Sequence, residues 1–341
     1  MTDGKWWHSE RHMDRRPFLL KRGQVRRALS DWFADEGFLE VECAALQVSP
    51  GNETHLHAFQ TEFRTDDGAC SPLYLHTSPE FACKKLLAAG ETKIVDFARV
   101  FRNREQGPLH SPEFTMVEWY RTGASLQDVM LDAVTLCRVA LAATGRDVLT
   151  WKGRTCDPAS EPEYLTLTDA FQRYAGIDLD ALLGDREGFI QAARRAGVGV
   201  MADASWSDVH SAVIVTLIEP ALGDGRLTLL HRYPVCEAAL ARACPDDPRF
   251  AERFELYACG VELANGFHEL TDAAEQRERF VADMDLKQEL YGERYPLDED
   301  FLDALGSMPD ASGVALGFDR LVILAAGARS IRDVQWTPVE T

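Results

Sequence analysis

The 341-residue chain has no long apolar run. No segment reaches about 18 consecutive apolar residues, the length that a helix needs to span a bilayer. The first thirty residues carry charges throughout and lack the continuous apolar stretch of a signal peptide. No membrane association is expected, and a cytoplasmic location fits this sequence best.

Paired cysteine motifs are also missing. The cysteines are scattered, with no C-x-x-C pair and no neighbouring H-x-x-x-H that would complete a zinc site. We expect reduced thiols at all eight positions, which are Cys43, Cys70, Cys83, Cys137, Cys156, Cys236, Cys244 and Cys259.

Positive charge is scarce. The chain has 36 Lys and Arg against 55 Asp and Glu, a formal net charge of -19. Because proteins that bind nucleic acid through phosphates usually have a clustered basic surface, extensive RNA binding is disfavoured and tRNA binding is not expected. Basic residues concentrate only from Arg11 to Arg27, where they form either a local patch or one face of an ordinary helix.

The common nucleotide and nucleophile motifs are absent too. The sequence contains no G-x-x-x-x-G-K-[ST] loop and no strand-turn-helix with G-x-G-x-x-G, which excludes a recognisable P-loop or Rossmann site. No Ser/His/Asp or Cys/His arrangement stands out. Any nucleotide chemistry must therefore rest on acids and arginines distributed along the chain.

Apolar periodicity predicts one domain over residues 1–341, in which about 145–250 is scaffold and insertion. Val25, Leu29 and Phe33 recur at helical spacing in a helix over 21–36 that Gly37 ends. Strands are predicted at 39–41, 73–76, 94–102, 114–121 and 313–317, and a hairpin joins strands 254–258 and 261–266. Helices are predicted at 125–144, 272–290 and 318–326, the last directly after strand 313–317. A further helix is predicted with Ser78 as N-cap, Pro79 at its first position and Gly90 at its end.

An acid and a phenol share one face of the strand over 114–121. Alternate residues on a strand point the same way, which groups Phe114, Met116, Glu118 and Tyr120. A carboxylate in this apolar setting is costly to bury without a partner. On this strand alone two interpretations stay open: Glu118 meets a cationic ligand, or it pairs with an internal arginine.

The hairpin after residue 254 carries a second pair of acids. A two-residue Cys-Gly turn predicts that Glu262 lies opposite Tyr257 and that Ala264 lies opposite Glu255. Glu255 and Glu262 then share a face. Two neighbouring carboxylates with only oxygen ligands suit Mg²⁺ that bridges nucleotide phosphates, and the alternative is a solvent-exposed pair of surface glutamates.

Two arginines are placed to meet an anion. Arg102 ends a strand beside a Gly/Pro loop, and Arg320 lies in the first turn of a helix that follows Gly317. An arginine at a helix start opposes the helix dipole, so its position makes more sense if a phosphate also approaches that end. A pairing of Asp319 with Arg320 would explain the arginine without a ligand.

These residues carry a resemblance to class II aminoacyl-tRNA synthetases of the lysyl type. The stretches at 37–47, 101–121 and 313–324 resemble the three class II motifs. Those at 77–81 and 254–273 resemble segments of the lysyl family that contact substrate and metal. The resemblance implies an α+β fold with an antiparallel sheet flanked by helices, a homodimer, and ATP and Mg²⁺ as the nucleotide and metal.

Because the first motif begins within forty residues of the start, we expect no anticodon-reading domain of the kind that those synthetases have. The chain resembles most the paralogues without that domain, which implies activation of (R)-beta-lysine as its adenylate and transfer to a lysine of elongation factor P. Two other functions stay open. One is a stand-alone lysyl-adenylate former that charges tRNA or another acceptor, and the other is a non-catalytic regulatory subunit.

The resemblance also implies residue roles. Arg102 and Arg320 would be the catalytic pair, and Glu255 and Glu262 the Mg²⁺ ligands. The nucleotide would lie against Arg102, Glu105, His110, Phe114, Glu262, Leu263, Gly317 and Arg320. The amino acid would be bound by Ser78, Glu80, Glu118, Tyr120, Asn265 and Glu269.

Two departures bear on these roles. The family often reads Asn-Glu after the motif arginine, whereas this chain has Asn103, Arg104 and Glu105, so the carboxylate expected at adenine is displaced by one residue. Ala315 stands where lysyl-tRNA synthetases usually have glycine. Its methyl group is expected to reshape the amino-acid pocket and to disfavour alpha-lysine, by about 1 to 3 kcal/mol.

Overall fold

The computed structural model describes residues 5–340, which form ten α-helices and thirteen β-strands. The helices are α1 (Ser9–Asp35), α2 (Glu80–Ala88), α3 (Leu126–Thr144), α4 (Leu167–Ala175), α5 (Arg186–Arg195), α6 (Trp206–Val213), α7 (Ala273–Tyr291), α8 (Glu299–Leu305), α9 (Phe318–Ala326) and α10 (Ile331–Val334). The strands are β1 (Leu39–Val41), β2 (Leu46–Gln47), β3 (Phe59–Arg64), β4 (Cys70–Leu75), β5 (Lys93–Phe101), β6 (Glu113–Thr122), β7 (Leu149–Trp151), β8 (Arg154–Cys156), β9 (Glu163–Thr166), β10 (Thr228–Pro234), β11 (Phe250–Ala258), β12 (Val261–His268) and β13 (Ala311–Gly317).

The first helix is longer than its apolar pattern predicts. It begins at Ser9 rather than at residue 21, and it ends before Gly37 as predicted. Its N-terminal half buries Leu19 together with Arg15 and Arg22, both of which hydrogen-bond to the C-terminal part of the chain. Because half of this inward face is cationic, apolar periodicity does not predict the N-terminal half of the helix. Arg15 and Arg22 of the basic segment therefore have a structural role.

The second helix begins one residue later than predicted. Glu80 is its first residue and Pro79 occupies the N-cap position, which corrects the assignment of Ser78 as N-cap. The Ser78 hydroxyl still accepts a hydrogen bond from the Glu80 amide at 3.0 Å, and it also donates to Glu118 at 2.8 Å. Ser78 therefore connects the helix start to β6.

Eight strands form the main sheet in the order β1-β5-β6-β13-β12-β11-β10-β9. The six strands from β5 to β10 are antiparallel to their neighbours, which confirms the predicted antiparallel sheet for its centre. Both edge pairs are parallel, which the sequence did not predict. Helices α1, α3 and α9 cover one face of the sheet with a continuous apolar core.

A bulge shifts the register of the β11–β12 hairpin. Tyr257 pairs with Glu262 as predicted, but Ala264 pairs with Leu256 rather than with Glu255. Leu263 is the extra residue on β12. The prediction assumed regular pairing on both sides of the two-residue turn and therefore did not include this residue. Bulges re-aim side chains next to functional sites. Here the bulge brings Asn265 opposite Glu255.

One row of paired residues crosses the face of the sheet opposite α1, α3 and α9, where α2 also packs. Asp96 pairs with Glu118, Glu118 with Ala315, Ala315 with Asn265, and Asn265 with Glu255. Directly paired residues on neighbouring strands point to the same side. This row, which joins β5, β6, β13, β12 and β11, is the floor on which the candidate site stands.

Residues of the middle third form a helical layer against β10 and β11. Helices α4, α5 and α6 bury Phe171, Phe189 and Val209 in an apolar cluster that also contains Leu230 and Tyr257 of the sheet. The interpretation of 145–250 as scaffold and insertion in a single domain stays a prediction. None of the helices described over 5–340 combines the length and apolarity of a membrane span.

Asp319 anchors the start of α9 from inside the core. Its two carboxylate oxygens accept hydrogen bonds from the Arg22 guanidinium and from the Thr115 amide, each at 2.6 Å. Asp319 is 1% exposed and Arg22 is 9% exposed, so both charges are desolvated. This arrangement excludes the alternative in which Asp319 pairs with Arg320, and it leaves Arg320 free to face the other side.

Replacement of Asp319 tests this anchor. Asp319→Ala is expected to lower the free energy of unfolding by about 3 to 5 kcal/mol, because it leaves the Arg22 charge buried without a partner. Urea denaturation measures the loss. The matched control, Asp31→Ala at an exposed position of α1, should change stability by less than about 0.5 kcal/mol. Similar losses in both variants would contradict the anchoring role.

Candidate active site

A cavity opens where β6, β12 and β13 meet the loop that follows Arg102. The turn of the chain at Gly107 and Pro108 brings this loop over the ends of the strands. All residues predicted to contact the nucleotide border this cavity, namely Arg102, Glu105, His110, Phe114, Glu262, Leu263, Gly317 and Arg320. Asn265 and Ala315 also line it. The structure thus brings these side chains together, and their individual roles stay predictions.

The two arginines lie on the same cavity but differ in their partners. Arg320 donates to the Glu262 carboxylate at 3.3 Å and lies 2.9 Å from His110. Arg102 donates to the Thr77 carbonyl at 3.2 Å, and within residues 5–340 no ion pair is recorded for it. Burial lowers the pKa of Arg102. A buried guanidinium that forms no salt bridge is suited to bind an anionic ligand.

The residue inserted after Asn103 does not remove Glu105 from the cavity. Arg104 adopts a left-handed backbone conformation with φ of 65° and turns its side chain outward to Glu293. Glu105 then follows on the cavity side, 3.7 Å from His110. The local backbone therefore absorbs the extra residue, and the displacement expected from the sequence is compensated.

Glu118 belongs to a buried polar cluster, the acidic pocket, and its pairing partner on β13, Ala315, lines the cavity. Ser78 donates to one of its oxygens at 2.8 Å and Tyr120 donates to the other at 2.5 Å. Burial, followed by the nearby Glu80, raises the pKa of Glu118 to about 8. Burial also raises the pKa of Glu269 to about 7. Neither acid forms an ion pair with an arginine within the described chain, which disfavours the interpretation of Glu118 as an internal salt bridge.

The sequence analysis missed Lys84, which lies inside this group of acids. Its ammonium is 2.7 Å from Glu269 and also pairs with Glu80 one helical turn away. Burial by itself lowers the pKa of Lys84, but Glu269 and Glu80 together raise it above its ordinary value. Two carboxyl groups thus contact one ammonium, and Glu118 lies close enough to both acids for them to raise its pKa. A cationic ligand would favour the ionised forms of Glu118 and Glu269.

Gly313 makes room for this acidic pocket. A methyl group at its Cα would lie 2.3 Å from the Tyr120 ring and 2.5 Å from a Glu269 oxygen. Contacts that short do not occur between real atoms, so any side chain at residue 313 would displace one of these groups. The need for glycine here comes from packing, since the residue is in an extended strand.

A second group of acids lies at the other end of the floor. Glu255 forms an ion pair with Arg253 at 2.5 Å and accepts a hydrogen bond from Tyr257. Glu262 pairs with Tyr257, two residues after Glu255, so the two glutamates share a face of the hairpin as predicted, and Glu262 contributes to raising the pKa of Glu255 after burial. Glu219 was missed by the sequence analysis. Burial and repulsion from Glu255 and Glu262 raise its pKa to about 7.

These missed residues had no local signal. Lys84 belongs to a Lys-Lys pair that resembles an exposed helix face, and Glu219 lies in the segment interpreted as insertion. Arg253, which donates to Asn265 at 3.2 Å, precedes the predicted hairpin by one residue. Only the long-range pairing of strands and helices brings them to the site.

Comparison with known proteins agrees with this architecture. A family model described as "tRNA synthetases class II (D, K and N)" matches residues 5–341. The chain belongs to this family, which confirms the resemblance inferred from its motifs.

Among individual relatives, proteins from Salmonella paratyphi B, Salmonella schwarzengrund and Salmonella heidelberg are similar to this chain. Each is named elongation factor P--(R)-beta-lysine ligase. Each is 39% identical over 322 residues, which cover 93% of this chain and 94% of the relative.

The charge balance of the acidic pocket gives a pH-dependent prediction. Lys84→Met should destabilise the fold by about 3 to 5 kcal/mol at pH 8, because Glu80 and Glu269 lose their buried counter-charge. Near pH 5 the loss should be smaller. The variant raises the folded-state pKa of Glu269 further above its value of about 7, so this penalty grows as pH rises above about 7 and is lost below it, where Glu269 holds a proton in both proteins.

Urea denaturation at both pH values measures this difference. Arg277→Met is the matched control, because it removes a cation from the exposed pair with Glu299 and should cost less than about 1 kcal/mol. A loss for Lys84→Met that is equal at pH 5 and pH 8 would contradict the proposed role of Lys84 as a buried counter-charge.

Proposed function

We propose that this protein uses ATP to activate (R)-beta-lysine as its adenylate and transfers the beta-lysyl group to a lysine side chain of elongation factor P. The names of its relatives support this acceptor and this amino acid. The observation that carries the proposal is the acidic pocket, in which the buried acids Glu80, Glu118 and Glu269 have Lys84 as their one cationic partner within residues 5–340. A diamino acid brings two ammonium groups.

The amino acid is proposed to lie along the floor between the two ends of the site. Glu118, Tyr120 and Glu269 would bind its distal ammonium, and Glu80 would face the amino group nearer the reacting carboxylate. Asn265 would orient the substrate, and Ser78 would hold Glu118 in place through its hydrogen bond at 2.8 Å. The methyl group of Ala315 lies between Glu118 and Asn265 in the row, where it limits the shape of the ligand.

ATP is proposed to occupy the cavity next to this pocket. Phe114 would stack on adenine, Glu105 and Leu263 would border the base, and Gly317 would allow the nucleotide to approach the backbone. Arg102 and Arg320 would neutralise the phosphates, assisted by His110. Of the two arginines, Arg102 is more available to a phosphate, because it forms no ion pair within residues 5–340.

Magnesium is proposed to bind Glu255 and Glu262, with Glu219 nearby. The raised pKa of Glu219 reflects burial and repulsion that a divalent cation would relieve, so these residues fit the ion. When bound, Mg²⁺ would neutralise phosphate charge. Arg253 would keep Glu255 oriented toward the floor through their ion pair.

The reaction needs no side-chain nucleophile. The substrate carboxylate attacks the α-phosphorus of ATP, the bond from this phosphorus to the bridging oxygen breaks, and pyrophosphate leaves. The unprotonated acceptor amine then attacks the carbonyl carbon of the adenylate, and AMP leaves as the amide forms. The protein contributes position and charge neutralisation, which are large contributions in such transfers.

An acidic groove supports a protein lysine as acceptor. This groove, of about 710 Å³, shares Arg102 and Asn265 with the nucleotide cavity. Glu53, Glu237 and Asp283 line it. Their carboxylates suit the approach of a cationic lysine side chain and disfavour the phosphates of tRNA.

We also propose that the protein is a cytoplasmic homodimer. Leu39, Leu46 and Val48 in the first motif region are each at least half exposed, with exposed fractions of 51%, 50% and 52%. Clustered exposed apolar side chains mark protein interfaces. All eight cysteines are free thiols, which agrees with a reducing compartment.

ATP/pyrophosphate exchange followed by an acceptor test examines the proposed function. We expect exchange that depends on beta-lysine more than on alpha-lysine, and an added beta-lysyl group on elongation factor P by mass spectrometry. Charging of tRNA-Lys without transfer to elongation factor P would favour the stand-alone adenylate former. Absence of any exchange would favour the regulatory subunit.

Glu269 provides a test of the amino-acid pocket. Glu269→Gln should raise KM for the amino acid by about 10- to 150-fold, since a hydrogen bond to a charged group contributes about 1.5 to 3 kcal/mol. KM for ATP should change less than about threefold. Glu275→Gln on the exposed side of α7 should change neither constant. Equal losses for both substrates would count against the assigned role of Glu269.

A further inference from the structure

Three potential metal ligands meet beside the amino-acid pocket, outside the nucleotide cavity. The sulfur atoms of Cys43 and Cys83 and a carboxylate oxygen of Asp96 all lie within 4.8 Å of one another. They come from the segment after β1, from α2 and from β5, and the Cys43 amide also donates to Asp96 at 3.0 Å. This is the one group of its kind found within residues 5–340.

The spacing of the two sulfurs fits a shared tetrahedral ion. They are 3.6 Å apart. Two thiolates at about 2.3 Å from a tetrahedral zinc ion are separated by roughly 3.8 Å. A disulfide requires about 2.05 Å, so it would demand a larger movement than metal binding does. Two thiols that simply pack together as small apolar groups would lie at a similar distance. Asp96 and His76 distinguish a metal site from such packing.

Asp96 is the first of these residues. It is 4% exposed, and no ion pair is recorded for it within the described chain. A buried carboxylate normally has a cation as a partner, whereas Asp96 has the Cys43 amide and no ion pair. A cation at this position would balance its charge.

His76 is the second of these residues. Its Nε2 lies 2.6 Å from the Arg99 carbonyl, so this nitrogen carries the proton and donates it. In the neutral ring the lone pair is then on Nδ1, which is buried and has no hydrogen-bond partner. Histidines that bind metals commonly donate their other N–H to a backbone carbonyl in this way.

We propose that Cys43, Cys83 and Asp96 bind one thiophilic divalent cation, Zn²⁺, with His76 Nδ1 as the candidate for the fourth position. Binding releases the two thiol protons to solvent, since the ligands are thiolates. Nδ1 is outside the 4.8 Å group, so the ring moves toward the ion or a water bridges them. Cys43 is partly exposed and provides the route of entry.

Such a site would connect α2 to the sheet. Cys83 precedes Lys84 directly on α2, and Asp96 pairs with Glu118 between β5 and β6. The ion would therefore fix the helix that carries Glu80 and Lys84 against the floor of the acidic pocket. Its role would be structural, and it is separate from magnesium at Glu255 and Glu262.

Cobalt titration of the reduced, metal-free full-length protein tests the proposal. We expect one equivalent of Co²⁺ to bind with a thiolate charge-transfer band, and Zn²⁺ to displace it. Cys43→Ser and Cys83→Ser should each abolish the band. His76→Ala should weaken binding by about 10- to 100-fold. Cys70→Ser and Cys236→Ser, which change two exposed cysteines, should bind cobalt as the unmodified protein does.

A second measurement guards against variants that fail to fold. In the unmodified protein, Zn²⁺ should raise the melting temperature and protect Cys43 and Cys83 from alkylation, as located by mass spectrometry. The proposal is overturned if no thiolate band appears, if the band persists in both serine variants, or if the two thiols oxidise to a disulfide without binding metal. ATP/pyrophosphate exchange, measured separately, keeps this outcome distinct from failure of the proposed function.

Discussion

The burial of three carboxyl groups with one ammonium in a single pocket is the constraint on which the rest of the site depends. Lys84 pairs with Glu80 and Glu269, and Glu118 lies near both acids in a region that water does not screen. At an effective dielectric constant of 20, two unit charges 4 Å apart interact by about 4 kcal/mol, so one missing cation matters. The pKa values of Glu118 and Glu269 are raised because these acids are buried close to other acids. The fold tolerates this proximity because Ser78, Tyr120 and Lys84 hold the acids in place, and a diamino acid would relieve the repulsion.

The sheet places the acidic pocket next to the proposed nucleotide and magnesium residues, so that two substrates can bind side by side. A single row from Asp96 to Glu255 places the acidic pocket and the proposed magnesium acids on one floor. The bulge at Leu263 sets the register of that row, and Gly313 leaves space for two side chains above it. Asp319 fixes the start of α9 from the opposite face, which lets Arg320 face the nucleotide cavity. The helical cover on one face thus determines which side chains reach the other.

Local patterns in the sequence were sufficient for the elements that carry the motifs. Alternation predicted the shared face of Glu118 and Tyr120, and the helix start predicted the position of Arg320. The same reasoning failed where a residue acts through distant partners. Lys84 resembled a surface lysine until Glu269, far along the chain, was placed beside it. The bulge in β12, the inward arginines of α1 and the meeting of Cys43 with Cys83 likewise depend on tertiary packing, which spacing along one segment does not encode.

The central claim is that Glu118 and Glu269 hold protons that a bound diamino acid displaces. Isothermal titration calorimetry of beta-lysine binding at pH 7, in buffers with different ionisation enthalpies, measures those protons directly. The account predicts net proton release, because the ammonium groups lower the pKa of both acids. It also predicts that 3-aminohexanoate, the beta-amino acid that lacks only the distal ammonium, binds much more weakly and releases fewer protons. Equal affinity for the two ligands, with no proton release, would contradict the account.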